Sequence, residues 1–208
     1  HDPAGDLQAG QAARVRPRGE DDRGARVLLT VHLDGVRADV VADGTAPALL
    51  HGYGANGVVQ AAYFGMNALA ESEGFILAFP DGTVDQAGNA FWNATDACCG
   101  FRSDVDDVAY LTGIIDAVSQ QWNVDPKRVF LMGHSNGGFM SYRMACDVSD
   151  RIAAIASLAG ATFDDPTACT PKEPVSVLQV HGTADGTIVR QTGQLDEAKL
   201  DRILESLP

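Results

Sequence analysis

The sequence predicts an α/β fold, a mostly parallel sheet with helices on both faces. Short apolar runs alternate with segments of helical spacing from residue 46 onward, and that alternation is what crossover-connected parallel strands require. Two of the runs end directly in glycine-rich turns, which is where such sheets carry functional loops. With 208 residues, 45% of them apolar, the chain can bury one substantial core.

Residues 1–24 are Asp, Arg, Gly, Ala and Gln with almost no large apolar side chain, so a flexible leader is expected there. The folded domain is expected over 25–190. Residues 26–33 (RVLLTVHL) and 36–41, separated by Asp34-Gly35, read as two antiparallel edge strands joined by a hairpin turn. Residues 46–50 form an apolar strand running into His51-Gly52-Tyr53-Gly54, and residues 63–73 then show helical spacing. Residues 75–79 (FILAF) read as a buried strand stopped by Pro80-Asp81-Gly82, where the chemistry is that of a turn.

The polar and aromatic stretch 83–102 is expected to be a long surface loop, a usual place for substrate contacts. Residues 104–122 follow as a helix, with Asp side chains at its start complementing the dipole and Val108, Leu111, Ile115 and Val118 along one face. Beyond it come a strand at 129–132, a helix at 136–146, and strands at 152–158 and 175–180. The tail 191–208 holds LDEAKLDRILESL, a charged helical pattern standing where a further strand and a closing helix should come.

A net charge of −13 and a pI near 4.5 repel nucleic acid and anionic membrane surfaces, and no apolar run reaches the roughly 20 residues that cross a bilayer. A neutral substrate fits better. Four cysteines, Cys98, Cys99, Cys146 and Cys169, lack the spacing of a zinc site. Disulfides fit them, with free buried thiols the alternative. A Cys146–Cys169 bridge would close a loop of about 20 residues and contribute roughly 3 kcal/mol, which favours an oxidising compartment; the partners of Cys98 and Cys99 stay open.

Chemistry concentrates at three places. Gly133-His134-Ser135-Asn136-Gly137 lies between the strand VFLM and the helix FMSYRMAC, the context of a nucleophile elbow. There a sharp turn exposes a serine hydroxyl at a helix start, and glycines stand where a β-carbon would collide. Ser135 is the expected nucleophile. The loop at His51-Gly52-Tyr53-Gly54 is placed to complete an oxyanion hole, with the backbone N–H groups of Tyr53 and Asn136 as donors and His51 as a loop-ordering residue. Asp185, just past the last strand, is the expected carboxylate that orients a histidine. No histidine follows Asp185 in this sequence.

Taken together, LLHGYGANG, NALAESEGF, FILAFPDGT, FWNATDACCG, VDDVAYL, VDPKRVFLMGHSNGGFMSYRMAC and VLQVHGTADGTIV resemble the polyhydroxybutyrate depolymerase and feruloyl esterase (LpqC-like) group of α/β-hydrolases. The resemblance covers most of residues 46–189. It implies a secreted or periplasmic serine esterase without a cofactor or metal, acting on polyester or on acyl esters of plant polysaccharide. It also implies Ser135 as nucleophile, Asp185 as triad acid, the Tyr53 loop as oxyanion contributor and Trp92 as a substrate-side aromatic, with packing the other role open to Trp92. The chain departs from the group in lacking the final strand, histidine loop and helix. That departure leaves two further expectations, a hydrolase-like binding protein and a fragment with an exposed apolar sheet edge.

Overall fold

The computed structural model describes residues 29–33, 36–40, 44–99 and 103–188, so the expected leader and tail lie outside it. Strands β1 (Leu29–Leu33) and β2 (Val36–Val40) are antiparallel, as the Asp34-Gly35 turn predicts. Strand β3 (Ala46–Leu50) follows, and β2 also pairs antiparallel with β4 (Leu77–Ala78), so of the first two strands only β1 is an edge. From β4 onward, β3, β7 (Val129–His134), β8 (Ala154–Leu158) and β9 (Ser176–Val180) run parallel. These seven strands form one sheet in the order β1-β2-β4-β3-β7-β8-β9. The fold class is the expected one.

The helix expected over 63–73 is α2 (Met66–Glu73), and a further helix not expected from the sequence, α1 (Gly57–Tyr63), precedes it. Asn56 caps α1 through its side chain, and Gly65, at φ 65°, breaks the run in a left-handed conformation that a residue with a β-carbon rarely adopts. Helix α3 (Asp107–Gln121) starts at Asp106, whose carboxylate accepts the Ala109 N–H at 2.9 Å, an N-cap of the usual kind. Helix α4 (Asn136–Asp147) springs directly from the end of β7.

The period of two along the strands sorts the core into two layers. Val129, Leu131 and Ile155 point to the side of α3 and α4, where Leu111, Ile114, Phe139 and Met140 bury them. Leu49, Leu77 and Phe79 face the other way, against Ala61, Met66 and Ala70. At β9 this second face is open, with Leu178 60% and Val180 49% exposed on the outermost described strand.

The stretch 83–102 is not a surface loop over its described part. A hairpin of β5 (Thr83–Val84) and β6 (Ala90–Phe91) opens it, and Phe91, Trp92, Ala94, Ala97 and Cys98 are buried. Their apolar surface is what holds the segment down. Cys146 is bridged to Cys169 across 23 residues, as expected, and Cys98 is bridged to Cys99.

Candidate active site

Ser135 sits at φ 51°, ψ −120°, a region that L-residues avoid and that stores on the order of 1–3 kcal/mol of strain. Its N–H donates to Leu158 O at 2.8 Å, and its own carbonyl accepts from Gly138 and Phe139, so strand β8 and the first turn of α4 hold the strained residue in place. The turn is possible because of its glycines. A β-carbon on Gly133 would lie 2.0 Å from Gly137 O, and one on Gly137 would lie 2.2 Å from Leu50 O.

The loop after β3 packs directly on this elbow. A β-carbon on Gly52 would meet Ser135 Cβ at 3.5 Å and His134 Nδ1 at 3.3 Å, so the Tyr53 backbone begins one residue from the point of closest approach to Ser135. Asn136 opens α4, and an amide at a helix start has no intrahelical acceptor. The two expected oxyanion donors therefore belong to neighbouring segments. Tyr53 itself is 45% exposed.

Two residues brace this arrangement. His51 is fully buried; its Nδ1–H donates to Gly52 O at 2.8 Å and its Nε2 accepts the Gly82 N–H at 2.9 Å. Burial pushes its pKa below the ordinary histidine value, opposed by the Gly52 hydrogen bond and the Asp81 charge. The neutral ring is a loop-ordering group, as the sequence predicts, and no candidate for the base. Trp92 takes the packing role, one of the two left open to it. It is 0% exposed, with Nε1–H donating to His51 O at 3.0 Å, so its ring is a core clamp that no substrate can stack on.

Trp92 also grips the helix side. Its N–H donates to Asn136 Oδ1 at 2.7 Å, and Asn136 Nδ2 donates back to Trp92 O at 3.0 Å and to Cys98 Sγ at 3.3 Å. The sequence points to Asn136 only for its backbone N–H. The buried side chain and the clamp it forms with Trp92 are invisible there, because residues 44 positions apart carry no periodic signal of contact.

Asp185 is the third element. His134, Leu158 and Val180 lie in register across β7, β8 and β9, so Ser135 and the turn after β9 share the carboxyl edge of the sheet, about 10 Å apart at the usual strand spacing. Asp185 Oδ1 accepts the N–H groups of Thr187 at 2.9 Å and Ile188 at 3.1 Å. Those amides, then the nearby His181 and His134, hold its carboxyl below the usual carboxylate range. His181 Nε2 lies 3.4 Å from Asp185 Oδ2 without hydrogen-bond geometry. The Gln179 amide, oriented by Tyr142 O–H and Gly160 O, presents Nε2–H to His181 Nδ1 at 3.3 Å, which leaves the ring proton on Nε2, facing the carboxylate.

Residues 62–167, just over half of the chain, match the Prolyl oligopeptidase family. The chain belongs to that family. Its likeness to curated proteins is to esterases: 35% identity over 130 residues with feruloyl esterase B of Piromyces equi, covering 60% of this chain and 23% of that protein. A second match, at 30% over 139 residues, is to the bifunctional acetylxylan esterase/xylanase XynS20E of Neocallimastix patriciarum, covering 67% of this chain and 19% of that one. The chain thus spans less than a quarter of the length of either relative. Among solved structures, the Bacillus cereus carboxylesterase superposes with TM-score 0.59 at 16% identity, over 83% of this chain and 78% of its own. The fold of this family member is that of the α/β-hydrolases.

The buried imidazole makes stability depend on pH. With its folded pKa below the unfolded value of about 6.5, His51 binds fewer protons folded than unfolded, so its contribution is full above about 6.5 and is lost as pH falls toward the folded value. His134 shifts in the same direction, chiefly through burial. The melting temperature is expected to fall between pH 7 and pH 5, with a shallower slope in His51→Gln. Equal slopes measured by calorimetry in the two chains would assign the acid loss elsewhere.

Proposed function

We propose that the chain carries the nucleophile, oxyanion hole and acid of a serine esterase that cleaves acyl esters of plant polysaccharide. The observation that carries the proposal is the strained Ser135 elbow with the Gly52–Gly54 loop packed on it. A serine at φ 51° is strained backbone, and strain of this kind clusters at active sites.

In the proposed reaction Ser135 Oγ attacks the ester carbonyl and its proton passes to a histidine that Asp185 orients. The oxyanion receives hydrogen bonds from the Tyr53 and Asn136 N–H groups, each worth about 3 to 4 kcal/mol in the transition state. Loss of the alcohol leaves an acyl group on Ser135, and water then releases the acid. His181, the imidazole beside Asp185, has Nδ1 engaged by the Gln179 amide and Nε2 toward the carboxylate, so neither of its nitrogens is free to take the Ser135 proton. The polysaccharide-ester class is supported by the likeness to a feruloyl esterase and an acetylxylan esterase/xylanase, and by an acidic chain suited to uncharged substrates.

The test is hydrolysis of p-nitrophenyl acetate and methyl ferulate, with fluorophosphonate labelling followed by peptide mass spectrometry. A single adduct on Ser135 is expected, and Ser135→Ala is expected to lower hydrolysis by roughly 10³-fold or more. A folded chain that is neither labelled nor active would sink the esterase reading and favour a hydrolase-like binding protein.

A further inference from the structure

The Gly52-Tyr53-Gly54 segment is intrinsically loose, with Gly54 at φ 73°, and the exposed Tyr53 ring gains little fixation from burial. The β5–β6 hairpin stands beside it and holds it at two successive residues. Gly54 N–H donates to Ala90 O at 2.8 Å, Tyr53 O–H donates to Asp85 Oδ2 at 2.6 Å, and Asn89 Nδ2 donates to the same phenol oxygen at 3.0 Å. The carboxylate is itself immobilised, since Asp85 Oδ1 accepts the N–H groups of Ala87 and Asn89 at 2.9 Å each. A turn with Gly88 at φ 86° closes that ring of contacts.

We propose that Asp85 is a positioning residue for the oxyanion loop, acting through the Tyr53 hydroxyl to fix the direction of the Tyr53 N–H. The inference rests on the oxyanion role given to Tyr53 above. An exposed hydrogen bond adds little to global stability, yet a donor stabilises an oxyanion only when held within about 2.7–3.1 Å of where the charge develops. Small looseness is therefore felt in the chemical step more than in folding. The Tyr53 hydrogen bond also pulls the Asp85 carboxyl below its ordinary range and, in turn, raises the phenol.

The experiment compares Asp85→Ala, Asp85→Asn, Tyr53→Phe and the Asp85→Ala/Tyr53→Phe double variant, with p-nitrophenyl acetate kinetics and amide exchange of residues 51–56. Asp85→Ala and Tyr53→Phe are each expected to lower kcat about five- to tenfold with KM within about twofold. The double variant is expected to be no worse than the more impaired single variant, because the Asp85–Tyr53 contact is the one that both substitutions remove. Asp85→Asn, which keeps a side chain able to bond the phenol and the turn amides, is expected to restore kcat to within about twofold. Exchange at 51–56 is expected to quicken in the Ala and Phe variants and not in Asn. Unchanged exchange, or additive losses in the double variant, would overturn the proposal. If the parent chain is inactive, the esterase reading fails separately, and the exchange pattern alone decides whether Asp85 holds the loop.

Discussion

Gly133→Ala and Gly137→Ala are expected to lower stability by more than about 3 kcal/mol each, close to 10 °C in melting temperature for a chain of this size. The added methyl would stand 2.0 Å from Gly137 O in the first case and 2.2 Å from Leu50 O in the second. Both obstacles are backbone, so no rotamer change relieves them. Relief requires α4 to move off β7 and β3, which would undo the packing of Phe139 and Met140. Gly113 is the control: it lies inside α3, and an added methyl there would have open space within 4 Å. Gly113→Ala should raise stability by about 0.5–1 kcal/mol. Urea unfolding of the three variants decides the matter. A loss below about 1 kcal/mol at Gly133 would mean that the elbow is soft and that Ser135 is not held in strain.

How far the sequence discloses the fold follows from which forces are local. Strands β3, β7 and β8 are visible as apolar runs, because strands covered on both faces keep few polar positions, and β9 carries the same apolar signal although one of its faces is open. The elbow is visible for the opposite reason, since Gly133, Ser135 and Gly137 answer to a backbone geometry that few other residues fit. The break at Gly65 is hidden, because a lone glycine within a helical pattern is ordinarily tolerated. The segment after Thr83 looks like a surface loop in sequence because its buried residues, Phe91, Trp92, Ala94 and Ala97, follow neither period. Their partners on α4 and the β3 loop are distant in sequence. Among the site residues, Ser135 and the Tyr53 loop can be placed from local turn chemistry alone. The Cys98–Cys99 bridge and the Asn136 side chain cannot, since pairing and polar networks are settled by tertiary packing.

Trp92→Phe is expected to lower kcat about 10- to 100-fold while leaving KM nearly unchanged. The substitution keeps an aromatic ring in the core but removes the Nε1–H that bonds His51 O at 3.0 Å. A buried carbonyl left without its donor costs roughly 1–3 kcal/mol, and the readiest relief is for His51 and the adjoining Gly52-Tyr53 backbone to shift toward another donor. Such a shift moves one proposed oxyanion donor relative to the other, since the Asn136 side stays tied to the Trp92 backbone by bonds that the substitution does not touch. Errors of this size in donor placement are felt in the transition state rather than in substrate binding. A substrate-stacking tryptophan predicts the reverse, a raised KM at constant kcat. Steady-state kinetics on methyl ferulate well below the melting temperature separates the two, with a KM effect alone refuting the clamp. If stability falls while both constants hold, Trp92 packs the core but does not couple the two halves of the oxyanion hole.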